Sequence, residues 1–309
     1  MNHPAPQPLL EFVPCTRPEG EYRMAYWRWG DSQARHWVVC AHGLTRQGRD
    51  FDRLAQALVA QSPQPLQVIC PEVVGRGRSD WLNDPAGYQI AHYAADMLAM
   101  LGQVSAACGP DAPLQTLDWV GTSMGGLIGM VLAGQPGLPL PAPIRRLVLN
   151  DVGPAITWSS VQRMQTYVGQ YGQYRDLAEA AADLRRLSAG FGPVPEDVWL
   201  ELSSHMTRPG SDAAVTLHYD PAIGTTVRSM TQDMATAGEA MLWQLYDQIQ
   251  ARTLLIRGAD SDLLTPETAL AMTQRGPQAT LETWPGFGHA PTLTSEDQIR
   301  VLTSFLLGD

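Results

Sequence analysis

The sequence predicts an α/β fold, a mostly parallel central sheet flanked by helices, and three observations carry that prediction. Short apolar runs of strand length recur along the chain: WVVCAH at 37–42, LQVIC at 66–70, LDWVG at 117–121, RLVLN at 146–150 and TLLIRG at 253–258. Such near-continuous apolarity suits strands buried on both faces of a parallel sheet. Between the runs, apolar residues fall at helical spacing, as in Phe51, Leu54, Ala55 and Leu58, or Ala94, Met97, Leu98 and Leu101. Strand alternating with helix is the pattern of an α/β sheet. Finally, 309 residues with 44% hydrophobic and 17% charged side chains provide for one large core, so one domain with an insertion is expected.

In chain order, residues 1 to 20 are proline-rich and read as an extended arm. From Tyr22 the stretch YRMAYWRW is aromatic-rich strand material closed by a turn at Gly30-Asp31, which predicts a first hairpin. GQPGLPLPAPI at 134–144 reads as a surface loop. Between Asp151 and Arg252 no strand pair is evident, whereas Val161, Met164, Val168 and Tyr171, then Leu177, Ala181 and Leu184, recur at helical spacing. This segment is expected to be an inserted helical cap. The expected organisation is therefore residues 1–151 as the N-terminal part of the core, 152–250 as the cap, and 251–309 as the C-terminal part of the core. The final helix opens on SEDQ, where Ser295 and Gln298 have capping-box spacing.

Composition excludes several chemistries. The 21 basic and 31 acidic residues give 21 − 31 = −10, with no basic run, which disfavours nucleic acid and anionic membrane as partners and leaves a small-molecule substrate. The chain contains no lysine, so a Ser-Lys dyad, Schiff-base chemistry and a P-loop lysine are all impossible. Cys15, Cys40, Cys70 and Cys108 lack CxxC pairing, and two of them fall inside apolar runs, so they read as buried free thiols. The histidines are scattered and no HExxH occurs; neither a metal nor a cofactor is expected. The start MNHPAPQPLLEF has no basic region followed by an apolar one, and a cytoplasmic location is expected.

The strongest chemical signal is GTSMG at 121–125, a G-x-S-x-G sequence that follows the strand LDWV and precedes the helical run GLIGMVLA. A serine on a sharp strand-to-helix turn needs hydrogens rather than side chains two residues to either side. Ser123 then stands at a helix N-terminus, where the helix dipole favours an alkoxide and the Met124 N–H faces the oxyanion position. A serine hydroxyl is a poor nucleophile until a base takes its proton, so a histidine and an orienting carboxylate must be found.

GTSMGG, HGLT at 42–45 and GFGHAP at 286–291 together resemble the α/β-hydrolase superfamily, over residues 22 to 307. More narrowly they resemble its capped single-domain esterases and carbon-carbon hydrolases. The resemblance implies Leu44, after His42-Gly43, as the second oxyanion N–H, with a structural role for the His42 imidazole. It implies His289, in a glycine-flanked loop before the last helix, as general base. The acid is implied on the loop after TLLIRG, where Asp260 and Asp262 compete; Asp262 is preferred because Pro266 follows it at the family's interval. Asp151, directly after RLVLN, is the alternative, since some members take the acid from that earlier strand. The loop PEVVGRGRSDW at 71–81 resembles a fold marker of the family, with Glu72 and Val74 where aspartate and proline are usual. The expected activity is hydrolysis of a small carboxylic ester through an acyl-enzyme. Carbon-carbon, lactone and thioester hydrolysis, or ligand sensing with a retained triad, would use the same residues.

Overall fold

Strand formation begins earlier than the sequence predicts. The computed structural model describes residues 7–18, 20–109, 113–170, 172–210 and 214–308; Tyr171 and the first six residues of the N-terminal arm lie outside them. Within the expected arm, Leu9–Arg17 forms β1, antiparallel to β2 (Gly20–Gly30). Pro14 is tolerated there because β1 is the edge of the sheet. The burial of Val13 and Cys15, alternating with exposed Phe12, Pro14 and Thr16, shows a strand with one face on the core.

The chain continues through β3 (His36–Ala41), α1 (Asp52–Gln61), β4 (Gln67–Glu72), α2 (Ile90–Ala107), β5 (Thr116–Thr122), α3 (Met124–Gly134) and β6 (Ile144–Asn150). An inserted segment follows, with α4 (Trp158–Tyr167), β7 (Gln173–Tyr174), α5 (Leu177–Leu187), α6 (Glu196–His205), β8 (Thr207–Pro209), β9 (Val215–Leu217), α7 (Ile223–Ser229) and α8 (Gln232–Gln248). The core resumes with β10 (Arg252–Gly258), α9 (Pro266–Gln274), β11 (Thr280–Trp284) and α10 (Glu296–Leu307).

The main sheet has eight strands in the order β1-β2-β4-β3-β5-β6-β10-β11. The first two junctions, β1/β2 and β2/β4, are antiparallel, and all the others are parallel. Its apolar strands feed two cores. In β3, Trp37, Val39 and Ala41 face the layer of α2 and α3, whereas Val38 and Cys40 face Leu54 and Leu58 of α1 and Leu302 and Leu306 of α10. The two-sided burial is the reason these strands read as unbroken apolar runs. Ser295 caps α10 by accepting from the Gln298 N–H.

The insertion is not purely helical. β7, β9 and β8 form a small antiparallel sheet, which corrects the expectation that this stretch holds no strands. Strands of two or three residues are too short to leave a period-two pattern in the sequence. The four cysteines are free thiols, three of them buried. Among the described residues no helix is long and apolar enough to cross a membrane.

Candidate active site

The turn between β5 and α3 is as tight as its glycines suggest. Ser123 has φ 52° and ψ −115°, a conformation that side-chain-bearing residues rarely adopt. A Cβ on Gly121 would lie 2.3 Å from the Gly125 carbonyl oxygen, and one on Gly125 would lie 2.0 Å from the Ala41 carbonyl oxygen. The Ser123 N–H donates to the Asn150 carbonyl at 3.0 Å, and the Gly126 N–H donates to the Ser123 carbonyl at 2.8 Å. The strained serine is thus held from both sides.

His289 follows Gly288 in the loop after β11. The Gly288 N–H donates to the Gly190 carbonyl of the insertion at 2.6 Å, and the Asp260 N–H donates to the Phe287 carbonyl at 2.8 Å. The ring reaches two partners: Nε2 lies 2.9 Å from Ser123 Oγ, and Nδ1 lies 2.8 Å from Asp151 Oδ2. With the proton on Nδ1 it donates to the carboxylate and accepts from the serine hydroxyl.

The carboxylate on this histidine is Asp151, and the structure corrects the preference for Asp262. Asp151 directly follows β6, at φ 55°, and is fully buried. Its Oδ1 accepts from the Gly258 N–H at 2.9 Å, and its Oδ2 accepts from Ser261 Oγ–H at 2.6 Å as well as from His289. Asp262 points elsewhere. Its carboxylate takes Nε and Nη2 of Arg163 at 2.8 and 3.0 Å, in a pair whose side chains are 41% and 51% exposed. Pro266, which suggested Asp262, is the first residue of α9 behind its Thr265 N-cap, where proline is favoured for reasons of helix initiation.

Leu44 and Met124 both border the space at Ser123, in the same cavity wall. The Leu44 loop is fixed by His42, in the structural role expected of it, and by Arg76, which the sequence alone did not single out. Buried His42 donates from Nδ1 to the Gly43 carbonyl at 2.7 Å and accepts the Val73 N–H at Nε2. Burial holds its pKa down at about 3, so the ring is a neutral strut rather than an acid or base. Arg76, with no exposed surface, donates from Nε to the Leu44 carbonyl at 2.8 Å and from Nη1 to Val74 and Tyr93. Arg76 belongs to the glycine-rich loop that reads as a fold marker, and nothing in its spacing indicates this role. Ser261 likewise left no signal.

Two cavities meet at Ser123. One, of about 350 Å³, has an apolar wall that includes Leu127, Val152, Ile156, Met164 and Val227, and no charged side chain is among its described lining residues. The other, of about 100 Å³, is bounded by Ser123 and His289 together with Thr45, Arg46, Arg163 and Tyr167. Among Trp158, Met164, Tyr167, Trp199 and Trp243 of the insertion, Met164 and Tyr167 line the cavity beside Ser123. Trp199 is buried within the insertion, donating to the Ala181 carbonyl, and Trp243 packs edge-on against Tyr246.

The chain is similar to known proteins over nearly its whole length. A family model described as the alpha/beta hydrolase fold matches residues 36–295. A 3-hydroxybutyrate-oligomer hydrolase of Cupriavidus necator is 42% identical over 304 residues, spanning 97% of this chain and 98% of that one. An alpha/beta hydrolase of Novosphingobium aromaticivorans superposes with a TM-score of 0.78 at 31% identity, covering 96% of this chain and 98% of that one. A candidate hydrolase of Rickettsia typhi superposes with a TM-score of 0.82 at 26% identity, covering 97% and 99%. The chain belongs to the α/β-hydrolase-fold family.

Proposed function

We propose that the protein is a serine ester hydrolase acting on short hydroxyacyl esters, with oligomers of 3-hydroxybutyrate as its substrate class. The observation that carries the chemistry is the continuous chain Ser123–His289–Asp151, with contacts of 2.9 and 2.8 Å. The substrate class is supported by the 42% identity, over almost the whole of both chains, to the hydrolase of such oligomers.

His289 takes the Ser123 proton as Oγ attacks the ester carbonyl carbon, and Asp151 stabilises the imidazolium that forms. The Leu44 and Met124 N–H groups serve the tetrahedral oxyanion. The carbon–oxygen bond to the alcohol part then breaks, and His289 delivers its proton to the leaving oxygen. Water, deprotonated by the same ring, attacks the acyl-enzyme and releases the acid with Ser123 restored. Each turnover consumes one ester bond and one water, and the protein ends in its starting protonation state.

The test is hydrolysis of p-nitrophenyl esters from acetate to decanoate, and of the 3-hydroxybutyrate dimer, by the wild type and Ser123→Ala. Turnover of short esters and of the dimer that disappears in the alanine variant is the expected result. Undiminished turnover by Ser123→Ala would refute the nucleophile, and wild-type protein inert toward every ester would refute the reading as a whole.

A further inference from the structure

We infer that Arg163 receives the free carboxylate of an acid-terminated substrate, so that the enzyme prefers oligoesters with an uncapped acid end. The inference rests on the ester-hydrolase reading. Its basis is the unequal charge of the two cavities that meet at Ser123. The larger has no charged side chain among its described lining residues, whereas the smaller carries Arg46 and Arg163 beside Ser123 and His289. In a hydroxyacid dimer the acyl half ends in a neutral hydroxyl, and the alcohol half bears the carboxylate, one methine and one methylene from the ester oxygen. Burying that carboxylate in the apolar cavity would be costly, so it belongs on the arginine side, with the acyl half in the apolar cavity.

The two arginines are not equally available. Arg46 is only 10% exposed, gives Nε and Nη2 to Asp50 at 2.6 and 2.7 Å, and lies over the Phe191 ring. Arg163 is 41% exposed and its partner Asp262 is 51% exposed, so water already competes for that pair and exchanging its partner costs little. Two of the five guanidinium N–H donors go to Asp262, and Tyr167 adjoins the same group within the cavity wall. A planar guanidinium that already donates to one carboxylate in bidentate fashion suits a second. Asp262, far from orienting the general base, then acts as a weak competitor for the substrate acid.

The measurement is kcat and KM for the 3-hydroxybutyrate dimer as free acid and as its primary amide, with p-nitrophenyl butyrate alongside. In the wild type kcat/KM for the acid should exceed that for the amide by about tenfold or more, mostly through KM, as expected for a hydrogen-bonded charge. Arg163→Gln should bring the ratio near one, Arg163→Lys should keep part of it, and Asp262→Asn should raise it. A wild-type amide cleaved as well as the acid overturns the inference even if the arginine variants fail to fold. So does an Arg163→Gln enzyme that keeps the preference. If the amide and p-nitrophenyl butyrate are cleaved while the acid is not preferred, the ester-hydrolase reading survives alone; if nothing is cleaved, both fall.

Discussion

Asp151→Asn should cost about 10⁴ in kcat/KM while leaving the protein folded, and Asp262→Asn should cost less than about fivefold. The size of the first effect follows from the three donors around Asp151: His289 Nδ1–H and Ser261 Oγ–H at Oδ2, and the Gly258 N–H at Oδ1. An asparagine has only one acceptor oxygen. If its amide nitrogen takes the Oδ2 position, it faces Nδ1, and the ring must carry its proton on Nε2 instead, where it can no longer accept from Ser123. If the nitrogen takes the Oδ1 position, two N–H groups oppose each other at about the 2.9 Å now spanned by the Gly258 contact. A loss of 10⁴ corresponds to about 5.5 kcal/mol of transition-state stabilisation. Asp262 has only its half-exposed pair with Arg163 to lose, worth about 0–1 kcal/mol. The assay is p-nitrophenyl butyrate hydrolysis, with urea unfolding of each variant to establish that it is folded. If Asp262→Asn collapses activity and Asp151→Asn spares it, the assignment from hydrogen-bond geometry is wrong.

Two other outcomes follow from neighbouring groups. Ser261→Ala removes one of two donors on Asp151 Oδ2 and should lower kcat roughly tenfold or more; full activity would show that Gly258 and His289 alone fix the carboxylate. Acid stability should depend on His42, whose pKa burial lowers from 6.5 to about 3. The unfolded chain takes up this proton near pH 6.5 and the folded chain near pH 3. Between those values the unfolded state therefore holds more protons, and the stability contributed by the neutral ring is lost as the pH falls through the window. Buried Asp52, raised to about 6 by desolvation, acts in the opposite sense, its contribution being lost as pH rises through 6. On going from pH 7 to pH 4 the wild type should lose about 3 kcal/mol more than His42→Asn in urea unfolding, and equal losses would sink the argument.

Ser123 and His289 were legible in the sequence because each is constrained locally. The elbow needs Gly121 and Gly125 for lack of space, and the histidine loop needs small residues where Gly288 passes close to Gly190. The acid is constrained only in space. β6 and β10 are neighbouring parallel strands, Asn150 pairs with Ile256, and the Asp151 N–H donates to the Ile256 carbonyl at 2.8 Å. The loops leaving both strands therefore reach the same edge of the imidazole. In this chain β6 sends the carboxylate and the loop after β10 sends Ser261 to meet it. No pattern within one segment distinguishes that arrangement from its reverse, which is why a proline that starts α9 could be mistaken for a marker of the acid.

Substrate choice was illegible for a related reason: it resides in contacts between distant segments. The insertion is clasped to the core by its 218–221 turn, where the Asp220 N–H donates to the Gly75 carbonyl at 2.8 Å. Tyr88 hydroxyl donates to Asp220 Oδ2 at 2.5 Å, and the Gly77 N–H donates to His218 Nδ1 at 2.5 Å. Held this way, α4 brings Met164 to both cavities and Arg163 and Tyr167 to the charged one, while α7 brings Val227 to the apolar one. Ser123, His289 and Asp151 come from strand ends and loops of the core sheet, whereas Arg163, the more exposed of the two arginines in the charged cavity, comes from one helix of the insertion. Exchanging residues on α4 should therefore redirect specificity with less effect on the chemical step than any change at the strand ends, because that helix shapes the walls and none of its side chains joins the Ser123–His289–Asp151 chain.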